Sequence, residues 1–360
     1  MNVHNWPRGF NWLRRPNWRK IGLFLLALFL FILSIQLLKS GAKALVPFVR
    51  DRLAVHNPVN ALGFGWLFAY VALSGSPVAA TALTFFDAGA LDRLGAFAMI
   101  AGSRLGASFI VLALGFVYSL RGHERRGSLA MGLLSLVVTA AVYLPALAVG
   151  YWLLTAGAFD WLPPALGNPA ISLIDVIYDP LVDFAVAALT RPGTFILGFG
   201  VLWYSLNLID RALPDLKLRE SAFGGMARIL YRPSVTFALG LAITSLTMSV
   251  SVSLSMLVPL SVRGYIRREN VIPYIMGANI TTFVDTLVAA LLLNNPQAFI
   301  VVLVEMVSVA VVSLLVLAFA YRPFERALLR VVEVIGESRR SLAIFLLLLV
   351  GVPVGLMFVR

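Results

Sequence analysis

Between Thr247 and Thr282 the chain sets hydroxyls at alternate positions, Ser249, Ser251, Ser253 and Ser255, and closes on Pro259. It then turns through Arg263, Arg267 and Arg268 and ends in Gly277-Ala278-Asn279-Ile280-Thr281-Thr282. Alternation of this kind reads as a strand in isolation. The flanking sequence forbids an isolated strand, because 60% of the chain is hydrophobic and its mean hydropathy is +0.91, far above the roughly 45–50% apolar content of a soluble domain. In lipid an unpaired backbone N–H or C=O costs several kcal/mol, so non-helical backbone survives at membrane depth only where protein wraps it or it lines a cavity. The stretch is therefore expected to be the broken tip of a helical hairpin, with hydroxyls and freed backbone groups facing something polar.

The chain is expected to be an all-α polytopic membrane protein of the cell membrane, with the lipid bilayer as its first partner. Its net charge of +12 is spread in short basic clusters between apolar spans, which fits membrane orientation and argues against a nucleic-acid partner. There is no cysteine, so disulfides, thiolate metal sites and cysteine nucleophiles are excluded. Residues 1–20 carry Arg8, Arg14, Arg15, Arg19 and Lys20 among Trp6, Trp12 and Trp18 with no acid, a cytoplasmic membrane-surface segment. The apolar run Ile21 to Leu38 exceeds the roughly 7–15 residues of a signal-peptide core, so it is expected to stay as the first span.

In order, residues 21–154 form a first transmembrane repeat and 155–193 an external loop, irregular and rich in Pro and Asp. Residues 194–321 form a second repeat, and 322–360 a basic loop with a final span. An exposed basic connector is expected from Lys39 to His56. Hairpins are expected at 58–87, where Ser76-Pro77 is a helix-start signal inside an apolar run, and at 233–262. The following spans are expected to break at Gly102–Gly106 and at Gly277–Thr282.

The two parts are related by a shift of 175 positions without a gap. Pro58 falls on Pro233, Gly65 on Gly240, Ser74 on Ser249, Ser76 on Ser251, Arg93 on Arg268 and Gly102 on Gly277. The matches fall on helix-breaking and hydroxyl positions rather than on apolar filler. Counting spans from a cytoplasmic N-terminus puts the hairpin elbows on opposite sides, an inverted-topology repeat of the kind many secondary transporters use, with re-entrant hairpins and interrupted helices meeting near the midplane. Lys39, Lys43, Arg50 and Arg52 would then lie outside, against the positive-inside rule.

These residues resemble the type II sodium-phosphate cotransporter family, whose signature places Asn-Pro before a Gln-Ser-Ser-Ser hairpin tip, followed by Gly-Ala-Asn-Ile-Gly-Thr-Thr. One copy here has Asn57-Pro58, Leu73-Ser74-Gly75-Ser76 and Gly102-Ser103-Arg104-Leu105-Gly106-Ala107-Ser108. The other has Arg232-Pro233, Met248-Ser249-Val250-Ser251 and Gly277 to Thr282. The resemblance spans roughly residues 21–320 and implies an inverted-repeat fold and symport of inorganic phosphate with sodium. Leu73 and Met248 stand where the family has glutamine, and Arg104 where it has asparagine. These departures bear on substrate and coupling more than on fold.

Anions are held by helix N-termini and hydroxyl donors, so Ser74, Ser76, Arg104, Ser249 and Ser251 are the candidate substrate-binding residues. Oxygens suited to sodium come from Ser253, Asn279, Thr282 and Asp285, with Thr282 and Thr286 on the Asn279 helix face; no other cofactor is implied. For a single serine, close helix packing is the competing explanation. Arg104, inside an apolar span, costs about 2.5–3.5 kcal/mol to insert, and either meets an anion or pairs with Asp285 or Glu305. An enzyme is not expected, since His4, His56 and His123 fall in surface segments and the lysines lie at or beyond span ends, leaving no buried base for a serine. A differently coupled carrier of another small anion, or a transport-dead scaffold on the same fold, stays open beside the symporter.

Overall fold

A computed structural model describes residues 18–53, 55–113, 125–162, 168–212, 232–247, 253 and 268–359. Among these the regular structure is entirely helical, and six helices are long and apolar enough to cross a membrane, which suggests a multi-pass membrane protein. The helices are α1 (Trp18–Pro47), α2 (Pro58–Ala72), α3 (Ser76–Asp87), α4 (Arg93–Ala107), α5 (Arg125–Thr155), α6 (Asn168–Ala212), α7 (Pro233–Thr247), α8 (Arg268–Thr281), α9 (Val284–Leu292), α10 (Pro296–Leu315), α11 (Tyr321–Glu337) and α12 (Arg339–Met357).

Local chemistry sets the helix starts. Asn57 caps α2 by accepting from the Asn60 N–H at 2.9 Å, with Pro58 in the first turn where its missing N–H is no loss. Asp92 caps α4 through the Gly95 N–H, and Asn295 caps α10 ahead of Pro296. Leu73, left-handed at φ 49, stops α2. At 15 residues each, α2 and α7 rise only about 22 Å, short of the roughly 30 Å hydrocarbon core.

The 175-residue offset also relates helix bounds and close contacts. Helices α2 and α7 begin and end at positions 175 apart, as α4 and α8 do at their starts. A Cβ added at Gly65 would run into the Met99 carbonyl, and one at Gly240 into the Tyr274 carbonyl. Likewise Gly102 lies on the Leu62 carbonyl and Gly277 on that of Phe237. All four pairs stand at the same offset, so α2 crosses α4 as α7 crosses α8. Because the obstacle is backbone, Gly65→Ala and Gly277→Ala should each lower stability by about 1–3 kcal/mol. Thermal melts of the purified variants check this, and Gly22→Ala, which meets open space, is the control.

Several boundaries differ from those expected. The connector from Lys39 onward is helical to Pro47 and closes with a π-turn, Phe48–Arg52. Its basic residues serve helix C-termini: Lys39 donates to the Leu293 carbonyl at 3.2 Å, and Arg50 to those of Gly89 (2.6 Å) and Ala90 (3.3 Å). Orphan carbonyls at the ends of α9 and α3 thus recruit these cations.

The expected irregular loop is helical from Asn168, and α6 breaks only at Thr190 (φ 63, ψ 167) before Pro192. Pro180 is accommodated within the helix, and Asp175, Asp179 and Asp183 share its exposed side at four-residue spacing. The part of α6 after the break runs antiparallel to α1, since Gly41 meets Phe195 and Ala27 clusters with Leu208 and Ile209. The basic segment after 321 is the amphipathic helix α11, with Leu328 and Val332 buried and its charges outward. Finally, α4 and α8 run through their glycine motifs and break later, at Ser108 and at Thr282-Phe283. Gly102 and Gly277 serve close packing rather than unwinding.

At the end of the bundle that holds the α3–α4 elbow, Arg93 donates to Asp160 at 2.6 Å. That hydrogen bond holds the Asp160 carboxyl below its ordinary range. A depressed folded-state value means the tie is present at neutral pH and is lost as pH falls through that value. Solvent screening keeps its contribution small.

Candidate functional site

The break between α2 and α3, the C-terminal half of α4, the middle of α5 and the end of α8 converge on a small cavity. Ser74, Gly75, Ser76, Arg104, Ser108, Thr139, Tyr143, Asn279 and Thr282 are among its lining residues. Its volume of about 40 Å³ exceeds the roughly 10–15 Å³ that one water needs and is on the scale of a small inorganic ion.

Arg104 dominates the site. Only 5% exposed, its guanidinium reaches from α4 to the turn between α8 and α9. Nη1 donates to Ser76 Oγ at 3.2 Å and to Thr282 Oγ1 at 3.3 Å, and Nη2 donates to Thr286 Oγ1 at 2.6 Å. The nearest carboxylate oxygen, Asp285 Oδ1, lies at 3.7 Å from Nη2, beyond hydrogen-bond length. Thr286 bridges the two by donating to Asp285 Oδ1 at 2.9 Å. The cation also sits over the Phe283 ring, 4.9 Å from its centroid. Two groups keep unused capacity, for neither Arg104 Nε nor Asp285 Oδ2 has a hydrogen-bond partner among the described residues. The pairing is loose, with a donor and an acceptor to spare in a place where each should be satisfied.

Of the expected substrate-binding residues, Ser74, Ser76 and Arg104 line this cavity, whereas Ser249 and Ser251 lie outside the described residues. Helix α3 starts one residue earlier than expected, with Gly75 as its N-cap and no side-chain cap bond. The Ser76 hydroxyl accepts from Arg104 instead of capping. The expected cation set is divided. Asn279 and Thr282 line the cavity, and Asp285 faces Arg104 beside it. Ser253 is bound elsewhere, to Thr244 at 2.8 Å and Tyr274 at 2.6 Å. The Asn279 amide donates to Thr139 at 3.3 Å, and its backbone carbonyl accepts from the Tyr143 hydroxyl at 3.1 Å. Asp285 is thus the partner of Arg104 that the sequence offered, while no hydrogen bond joins Arg104 to Glu305.

Thr139 and Tyr143 escaped the sequence reading because α5 carries no repeat mate for them. A signal was present all the same: Ser135, Thr139 and Tyr143 recur every four residues in an apolar helix, and all three are buried.

Comparison with known proteins finds no family model, no curated protein and no solved structure that this chain matches.

Proposed function

We propose that the protein is a secondary transporter for a small inorganic anion, phosphate first among the candidates, coupled to a cation, with the N-terminus cytoplasmic. One observation carries this: a buried guanidinium whose Nε–H has no partner among the described residues, with only a loose carboxylate contact, stands in a cavity shared by the α2–α3 break, α4, α5 and the end of α8. A buried cation left with spare donors is set to receive oxyanion oxygens through charge-assisted hydrogen bonds. The pairing of short α2 and α3, starting and ending beside the cleft shared by Asn57, Ala90 and Asp92, supports a hairpin that enters and leaves by one face. Uptake of labelled phosphate into proteoliposomes, with sulfate and arsenate as competitors, tests the reading. Absence of saturable uptake of any of the three would return the chain to the scaffold alternative.

Sodium is the coupling ion that the resemblance implies, and its oxygens here are partly taken. Thr282 and Asp285 can serve sodium only once Arg104 has turned to the anion. Sodium should therefore bind tighter with phosphate present, and reciprocally phosphate with sodium. Calorimetric titration of sodium with and without phosphate reads this directly, and equal affinities would remove sodium from this site. In the saturating case, uptake against sodium should be hyperbolic, and Asn279→Ala should flatten it.

A further inference from the structure

Among the described residues three side chains of the acidic and basic residue types are buried: Arg104, Asp285 and Glu305. Arg104 faces Asp285, which leaves Glu305 over. Glu305 sits between Val304 and Met306 in the apolar run of α10 and is 1% exposed. No ion pair reaches it among the described residues, and its Oε2 has no hydrogen-bond partner there.

The helices packed against α10 are α3, α4, α5, α8 and α9, with α11 following the π-turn at its end. From these, Arg104 of α4 acts on Glu305 through space, and Glu305 in turn acts on Tyr143 of α5. Asp285 of α9 is turned to Arg104, Tyr274 of α8 to Ser253, and Asp87 of α3 to Asn295 at the bundle end. Glu269 and Glu325 lie near Tyr321 at the opposite end. An ionised carboxylate with no partner in low dielectric is too costly to persist, so it neutralises by taking a proton.

We propose that Glu305 is a proton-binding site and that its proton travels with the anion. This rests on the anion-carrier reading above. With the site empty of anion, the Arg104 charge is offset by Asp285. An anion bound at Arg104 adds negative charge beside Glu305 and strengthens its hold on the proton, so anion and proton favour each other's binding. When the bundle opens and water reaches Glu305, solvation of the carboxylate releases the proton on that side. The anion and a proton thus move together, and a pH gradient can drive accumulation.

The first test needs no anion. Infrared spectra of the purified full-length chain near neutral pH should show a protonated carboxylic acid band slow to exchange in heavy water. It should be lost in Glu305→Gln and shifted by carbon-13 glutamate, but not by labelled aspartate. If the variant fails to fold, the labelling of the unaltered protein still decides. No such band, or one that moves only with labelled aspartate, overturns the site. The second test uses proteoliposomes with phosphate. An inward proton gradient should accelerate uptake by the unaltered protein, and Glu305→Gln should lose that response, whereas a persisting response overturns the proton coupling. If the glutamate band is present and phosphate is not transported, the proton site stands and the anion reading fails.

Discussion

Arg104→Gln is expected to weaken phosphate binding by about 10- to 150-fold, corresponding to the roughly 1.5–3 kcal/mol that hydrogen bonds to charged groups contribute. The variant should still fold. Its amide can donate to Ser76, Thr282 or Thr286, the three hydroxyls that now accept from the guanidinium. Asp285, deprived of its cation, can take a proton rather than remain a buried anion. Arg104→Lys keeps the charge but loses the planar fork, and one ammonium cannot replace Nη1, Nη2 and the free Nε together. Its affinity should fall between the two. Equilibrium binding on protein that melts as the unaltered chain does would measure both, and unchanged affinity in Arg104→Gln would leave Arg104 a structural residue only.

Much of this site was legible in the sequence because it is written in residues that are expensive in a membrane. An arginine in an apolar span, a Ser-Gly-Ser-Pro break and a run of hydroxyls at 175-residue spacing each need a reason, and Ser74, Ser76, Arg104, Asn279, Thr282 and Asp285 do converge. What the sequence hid was which polar group satisfies which. Ser76 reads equally well as a cap or as an acceptor for Arg104. The glycine motifs read as helix breaks, yet Gly65, Gly102, Gly240 and Gly277 serve close helix contact, because nothing local distinguishes a glycine that bends backbone from one that admits it. The role of Arg50 in the charged connector is hidden for a related reason. Its partners, the carbonyls of Gly89 and Ala90, are set by tertiary structure and leave no trace in the connector itself.

Asp285→Ala should be far more damaging than Arg104→Gln, and the asymmetry separates a structural ion pair from a ligand site. A carboxylate left alone can be neutralised by a proton, but guanidinium cannot give one up. Removing Asp285 therefore strands a charge that is 5% exposed, and breaking a buried pair in this way costs about 3–5 kcal/mol. Arg104→Gln on the same background should restore most of the loss, since no charge is then uncompensated. Phosphate should restore it too if Arg104 is the anion's partner, because the anion supplies the negative charge that Asp285 no longer does. With its competitor at 3.7 Å removed, Arg104 should also bind phosphate more tightly, so the rise in melting temperature per decade of phosphate begins at lower concentration. Melts of Asp285→Ala, with and without Arg104→Gln and across a phosphate series, read all three effects. Rescue by the second substitution but not by phosphate would mean that Arg104 and Asp285 hold α4 and α9 together without meeting an anion.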